Sequence, residues 1–206
     1  VICDLLSESD ATPIPIAPRQ ILKKQLERLR AVGLRAMGAT ELEFFLFRDS
    51  YEDAKRKGFH NLDTYGWYIE DYHMLQGSKE EWFMRAVRNH MNAAGVPIET
   101  SKGEWGPGQH EINLRYTNFL EMADRHTLYK HGVKEIAALN NVSVTFMAKW
   151  NEKLAGNSCH THSSLWDAES RTNKFYDASK PLGMSDLFRH YLAGQLTYAR
   201  ELSLFY

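Results

Sequence analysis

Three pairs of residues in this chain have types and spacings that could do chemistry: Glu104 with Glu111, Glu41 with Glu43, and His160 with His162. Glu104 and Glu111 bracket Gly106-Pro107-Gly108, a strong turn former because Gly tolerates positive φ and Pro fixes its own. If strands flank the turn, the two carboxylates fold back towards each other. Carboxylates held close repel unless a cation or a shared proton separates them. Alone, such a pair could equally be an exposed hairpin decoration. Thr40 to Arg48 alternates as a strand, with Leu42, Phe44 and Leu46 on one face and Glu41, Glu43, Phe45 and Phe47 on the other. A solvent face would not normally carry two phenylalanines. The segment is either an amphipathic strand end with exposed glutamates or a carboxylate pair in a cleft. An apolar cleft tolerates such a pair best when a divalent cation neutralises it.

Ser158 to Trp166 reads as a further strand, with Ser158, His160, His162 and Ser164 sharing a face. If these strands are neighbours, they offer hard or borderline ligands, mostly carboxylate, suited to one or two Mg²⁺ or Mn²⁺ ions. A structural zinc site would want Cys and His at close spacing. Paired Mg²⁺ ions usually accompany phosphoryl transfer, where they neutralise phosphate oxygens. A carboxylate-pair glycosidase is the competing chemistry. No Walker-type loop, GxGxxG fingerprint or HExxH is present, which argues against P-loop, dinucleotide and zincin readings.

The elements that must position these residues follow from periodicity. Asp10 to Ala17 is a Pro-broken linker, and Pro18 opens a helix with Leu22, Leu26 and Leu29 on one side and Gly33 as its stop. Asp49 to His60 reads as loop or short helix, and Leu62 to Gln76 as loop and strand. Ser78 and Glu81 predict a capping box, followed by a helix with Phe83, Val87, His90 and Met91 on its buried side. Val96 to Lys102 and Gln109 to Tyr116 flank the Gly-Pro-Gly turn. On the second flank His110, Ile112, Leu114 and Tyr116 share one face, and Gln109, Glu111, Asn113 and Arg115 the other. Phe119 to Asn140 predicts a long helix with Ala123, His126, Val133, Ile136 and Ala137 buried. Val142 to Lys149 alternates as a strand, Leu154 to Ser158 is a small-residue loop, and Ser185 caps a last helix.

The 206 residues suffice for a sizeable core, and 43% apolar and 12% aromatic content are ordinary for a globular soluble chain. A net charge of -1 gives no global pull towards nucleic acid or an anionic membrane. No apolar run is long enough to span a bilayer. Two cysteines without metal spacing, Cys3 and Cys159, suit a reducing cytoplasm. The start inside Val1-Ile2-Cys3 and the stop at Leu204-Phe205-Tyr206 predict an interior portion of a longer polypeptide.

On these residues the chain resembles the catalytic domain of glutamine synthetase and related glutamate–amine ligases. The resemblance rests on Thr40 to Phe47, on Glu104 to Glu111 with its Gly-Gln-x-Glu ending, on Thr145 to Lys149, and on Gly156 through His160-Thr161-His162-Ser163-Ser164-Leu165. It implies an α+β fold, a catalytic barrel of antiparallel strands with flanking helices, incomplete at both ends. Residues 1–17 would be linker and 18–206 the partial catalytic domain. The N-terminal β-grasp domain and the C-terminal part would lie outside it. By resemblance, Glu43, Glu104 and Glu111 would hold the metal nearer glutamate, and Glu41 and His160 the metal over the ATP phosphates. Glu99, Tyr116, His162 and Ser164 look like nucleotide contacts, and Gly156 like a backbone contact to glutamate. The catalytic acid and the arginines for phosphate would follow Tyr206, so residues 1–206 alone would not turn over.

The implied reaction has two steps: the glutamate γ-carboxylate takes the ATP γ-phosphoryl group, and ammonia or an amine then displaces phosphate. A ring-type homo-oligomer in the cytoplasm, with neither nucleic acid nor membrane as partner, is implied with it. Ammonia is the first expectation for the acceptor. A polyamine, ethanolamine or another amine is the second, because Trp150 stands where ammonia-using members commonly have Pro. A non-catalytic relative is the third.

Overall fold

The structure, a computed structural model, describes residues 2–205. The described chain holds five α-helices and six strands and forms two compact units, residues 39–162 and the remainder.

The helices and strands run in the order α1 (Pro18–Ala31), β1 (Leu34–Phe47), α2 (Tyr51–Arg56), α3 (Met74–Ala93), β2 (Ile98–Gly103), β3 (Gln109–Leu114), β4 (Thr117–Asn118), α4 (Phe119–Leu139), β5 (Ser143–Thr145), β6 (Cys159–Asp167) and α5 (Asp186–Leu202). The sheet has the order β2-β3-β1-β4, and β5 and β6 also pair with β1. It is an open antiparallel arrangement, so the expected barrel is represented by a sheet that does not close among the described residues.

In the unit of residues 39–162 the core lies on one side of the sheet. Leu42, Phe44 and Leu46 of β1 and Ile112 and Leu114 of β3 meet Phe83, Val87 and Met91 of α3 and Tyr129, Val133 and Ile136 of α4. The alternation read from Thr40 to Arg48 is thus the observed one. β1 and β3 are antiparallel with Glu43 opposite Glu111, Glu41 opposite Asn113 and Phe45 opposite Gln109. On the far side of β3, Lys102 of β2 stands opposite Glu111. One polar row therefore crosses three strands.

Several boundaries differ from the sequence expectation. α3 begins before the predicted capping box, with His73 Nδ1 accepting from Gln76 N at 3.4 Å. Ser78 lies inside the helix and donates to the Met74 carbonyl, as a serine there can do in place of capping. On the same helix Met91 is buried and His90 is exposed. α4 starts where expected, with Asn118 as its cap, but Met122 rather than Ala123 faces the core and His126 is half-buried. β5 is shorter than the alternation over Val142 to Lys149. Residues 62–76 contribute an isolated bridge, Phe47 with Thr64, in place of a strand.

The other unit contains α1, α5 and a 3₁₀ turn at Pro181–Gly183. α1 starts at Pro18 and ends against Gly33 at φ 75°, as its sequence dictates. Asp4 pairs with Arg19 and Lys23 of that helix. Phe175 packs on Phe188 and Tyr191 of α5, and Ser185 caps α5 by accepting from Phe188 N.

The turn between β2 and β3 is fixed by steric clearance. A Cβ on Gly106 would fall 2.5 Å from Phe45 Cζ and 2.8 Å from Gln109 Oε1. Gly108 has φ 73°, and a Cβ there would lie 2.8 Å from the Leu46 carbonyl oxygen. Gly106→Ala is expected to destabilise the protein by about 1–3 kcal/mol through overpacking. Gly77→Ala, inside α3 where a Cβ meets nothing within 4 Å, is expected to stabilise it by up to about 1 kcal/mol. Denaturant unfolding of both variants checks the pair.

Candidate functional site

The polar row opens into a cavity of about 600 Å³ lined by Glu41, Glu43, Glu99, Glu104, Glu111 and His160, together with Tyr72, Thr100, Lys102 and Asn113. β1 supplies Glu41 and Glu43 because period two puts both on the face opposite the core. β3 supplies Glu111, the turn supplies Glu104, and β6 supplies His160.

Glu43, Glu104 and Glu111 converge, with one carboxylate oxygen from each lying within 4.8 Å of the others. Glu43 is held from several directions. Its Oε2 accepts from Gln109 Nε2 and from Ser158 N, both at 2.9 Å, and its Oε1 accepts from Ser158 Oγ at 2.6 Å. Glu111 is 4% exposed and accepts from Asn113 Nδ2 at 3.1 Å. The expectation that Glu111 stands on a polar strand face therefore holds, and that face is itself buried at this point.

A side-chain cation already approaches two of the three carboxylates. Lys102 Nζ pairs closely with Glu104 and lies 3.7 Å from Glu111. Burial pulls the Lys102 ammonium down, but its bond to Glu104 and the charges of Glu104 and Glu111 outweigh this and raise it. Glu104 is also raised: burial is the largest cause and outweighs the lowering by the bond and charge of Lys102, with smaller upward contributions from the charges of Glu43 and Glu111.

The remaining expected residues fall as follows. Glu41 Oε1 lies 2.8 Å from His162 Nε2, so of the two histidines His162 holds Glu41 and His160 lines the cavity. Gly156 does not line the cavity. Its carbonyl accepts from Gln109 Nε2 at 2.9 Å, and a Cβ there would fall 2.7 Å from the Ala148 carbonyl oxygen. Glu99 lines the cavity, whereas Tyr116, 55% exposed, is not among its walls. Ser164 belongs to the other unit and accepts from Trp166 Nε1 at 2.8 Å.

Two residues that organise the site were given no role from the sequence. Gln109 is 1% exposed, and its single amide group touches Glu43, Gly156, Asn157 and the Gly106 N–H. Lys102 supplies the counter-charge. The signal for Gln109 was present, since it precedes Glu111 by two and so shares its face.

Phe45 and Phe47 continue the face that begins with Glu41 and Glu43. Both are buried beneath Trp150, whose ring lies 5.4 Å and 4.8 Å from theirs. Trp150 also borders an apolar pocket of about 240 Å³ with Tyr51, Phe59, Leu62 and Met147.

An open antiparallel sheet that gathers glutamates and a histidine at one polar mouth defines an α+β domain built to present carboxylates. The particular family follows from comparison: the glutamine synthetase catalytic domain matches residues 15–206, and the chain belongs to that family. Over its whole length it is 49% identical to the gamma-glutamylethanolamide synthetase GlnA4 of Streptomyces coelicolor, covering 43% of that protein. It is 34% identical to a glutamate–isopropylamine ligase of a Pseudomonas species, again over its whole length and 44% of the relative. A glutamine synthetase of Mycolicibacterium smegmatis is 31% identical over 98% of the chain and 44% of its own length. Among solved structures, GmaS without ligand superposes with a TM-score of 0.83 at 28% identity, over 94% of this chain and 44% of that one. The chain thus spans less than half the length of these relatives.

Lys102→Met removes the counter-charge from the three carboxylates. A carboxyl whose pKa is raised in the folded state favours folding at low pH and loses that contribution as pH rises through the folded value. Without Lys102, Glu104 rises further. Melting temperature in chelator is therefore expected to fall more steeply in the variant than in the parent as pH rises above the ordinary carboxylate range. Parallel slopes would contradict the assignment.

Proposed function

We propose that the chain is the metal-carboxylate part of an ATP-dependent ligase that activates the γ-carboxylate of glutamate and passes it to a small primary amine. The observation that carries this is the convergence of Glu43, Glu104 and Glu111 within 4.8 Å, two of them drawn to the ammonium of Lys102. ATP and glutamate are both anionic, and a mouth walled by glutamates repels them. The site can accept them only with divalent cations between.

The donor set fits such ions. Oxygen ligands suit Mg²⁺ and Mn²⁺, and a single imidazole is tolerated by Mn²⁺. Glu43, Glu104 and Glu111 would hold one ion and Glu41 with His160 a second. Bound there, the ions would neutralise phosphate charge as the phosphoryl group moves. The chain's own residues do the positioning. Gln109 and Ser158 fix both oxygens of Glu43. Gln109 also ties Gly156 to that carboxylate, so a glutamate contacting the Gly156 backbone would be registered against the same amide. Glu99, on the cavity wall, and His162, bonded to Glu41, would meet the nucleotide.

The acceptor we infer is a substituted primary amine such as ethanolamine. Support comes from the 49% identity to a gamma-glutamylethanolamide synthetase and from Trp150, which packs on Phe45 and Phe47 where ammonia-using members commonly carry Pro. Ammonia, the first expectation from the sequence, is the second reading. It is favoured by the 31% identity to a glutamine synthetase.

An amine panel with ATP and glutamate on the complete protein separates them. Ethanolamine is expected to exceed ammonia in kcat/KM by at least about tenfold, a discrimination of ~1.4 kcal/mol. A preference for ammonia would establish the second reading. Glu111→Ala is expected to lower kcat by at least about 100-fold, with melting temperature in chelator little changed. An active Glu111→Ala enzyme would contradict the ligand assignment.

A further inference from the structure

Behind the cavity, on the opposite face of β3, lies a second group of metal-ligating side chains. His110, 1% exposed, brings Nε2 against Glu80 Oε2 of α3, which is fully buried. Glu70, also 1% exposed, enters from the segment before α3. One ligand atom from each of the three lies within 4.8 Å of the others.

The group is built yet incompletely satisfied. Glu70 Oε1 accepts from Gly108 N at 3.0 Å, but Glu70 Oε2 and Glu80 Oε1 are buried with no partner. Gln76, one helical turn before Glu80 and 1% exposed, has neither amide atom partnered. Room for Glu70 is made by absent side chains. A Cβ on Gly66 would fall 1.6 Å from Glu70 Oε1, and one on Gly103 would fall 2.8 Å from Glu70 Cβ. No Lys or Arg forms an ion pair with Glu70 or Glu80 among the described residues. Burial, then the charge of Glu80, pushes Glu70 up to about 7. Two carboxylates so deeply buried need a shared proton or a cation, and the unpartnered Glu70 and Glu80 oxygens leave ligand positions open to the cation.

We infer that Glu70, Glu80 and His110 form a buried site for a divalent transition cation, separate from the cavity carboxylates, that pins the turn carrying Glu104 and Glu111. Two carboxylates with one imidazole suit a borderline ion such as Zn²⁺ better than Ca²⁺ or Mg²⁺. The pinning is direct. Glu70 N donates to the Glu104 carbonyl at 3.1 Å, and Gly108 N donates to the Glu70 carboxylate. A fixed Glu70 therefore fixes both ends of the turn.

The test uses Zn²⁺ as the probe on the complete protein and is independent of the ligase reading, since it measures neither turnover nor nucleotide. Zinc retained after loading and dialysis is counted by mass spectrometry, and melting temperature is recorded with and without zinc. Glu70→Gln and His110→Asn are each expected to retain one equivalent fewer than the parent and to lose part of the zinc-dependent rise in melting temperature. Glu111→Gln is expected to keep that equivalent. If His110→Asn fails to fold, the near-isosteric Glu70→Gln decides. A Glu70→Gln protein that retains as much zinc as the parent would overturn the proposal and assign the cluster to a proton shared between two carboxyls.

Discussion

The structure depends on holding three carboxylates together against their own repulsion. Glu43 and Glu111 are direct cross-strand partners, and Glu104 joins them from the turn. Like charges opposite one another on a sheet destabilise it. At 4.8 Å, each fully ionised pair costs on the order of 3 kcal/mol at an effective dielectric of about 20. That cost is met by Lys102, which approaches two of the three, and by the neutral donors Gln109, Ser158 and Asn113, which bond to the carboxylate oxygens. A divalent ion entering a site arranged this way would remove repulsion that the fold has already accepted.

The hydrophobic layer makes the arrangement possible. β1 puts Leu42, Phe44 and Leu46 into the core, and that burial fixes its register against β3, since a slip of one residue would turn Glu41 and Glu43 into the core. The opposite face changes character along its length, from glutamates at the cavity to Phe45 and Phe47 beneath Trp150. The aromatic end anchors the strand, so the acidic end need not stabilise itself. The loop from Ala148 to Asn157 runs from that aromatic end towards Ser158, and Gln109 connects Gly156 and Asn157 of this loop back to Glu43. Packing at Trp150 and orientation of Glu43 are in this way linked through one amide.

The two faces of β3 do different work with neighbouring residues. Glu111 faces the cavity, while His110 faces Glu80 of α3 in the interior. The turn before β3 is bound on both sides, by Gln109 to the Gly106 N–H and by Glu70 to the Gly108 N–H. Glycines at 106 and 108 are required because Phe45 and the Leu46 carbonyl occupy the space a side chain would take.

The sequence by itself determined the local geometry. Period two put Glu41 with Glu43 and Gln109 with Glu111 on shared faces, Gly-Pro-Gly placed a turn between Glu104 and Glu111, and Pro18 and Ser185 set helix starts. These features depend on residues a few positions apart. Only the tertiary structure decided which distant groups meet. The register set Glu43 opposite Glu111 and Lys102 beyond it, gave Glu41 to His162, and made Gln109 the hub of the site. It also showed that His110, which sequence alternation groups with Ile112 and Leu114 on the apolar face, has a carboxylate partner thirty positions away. Periodicity reports which way a side chain points. It cannot report what lies opposite, because that is fixed by burial and steric clearance summed over the whole sheet.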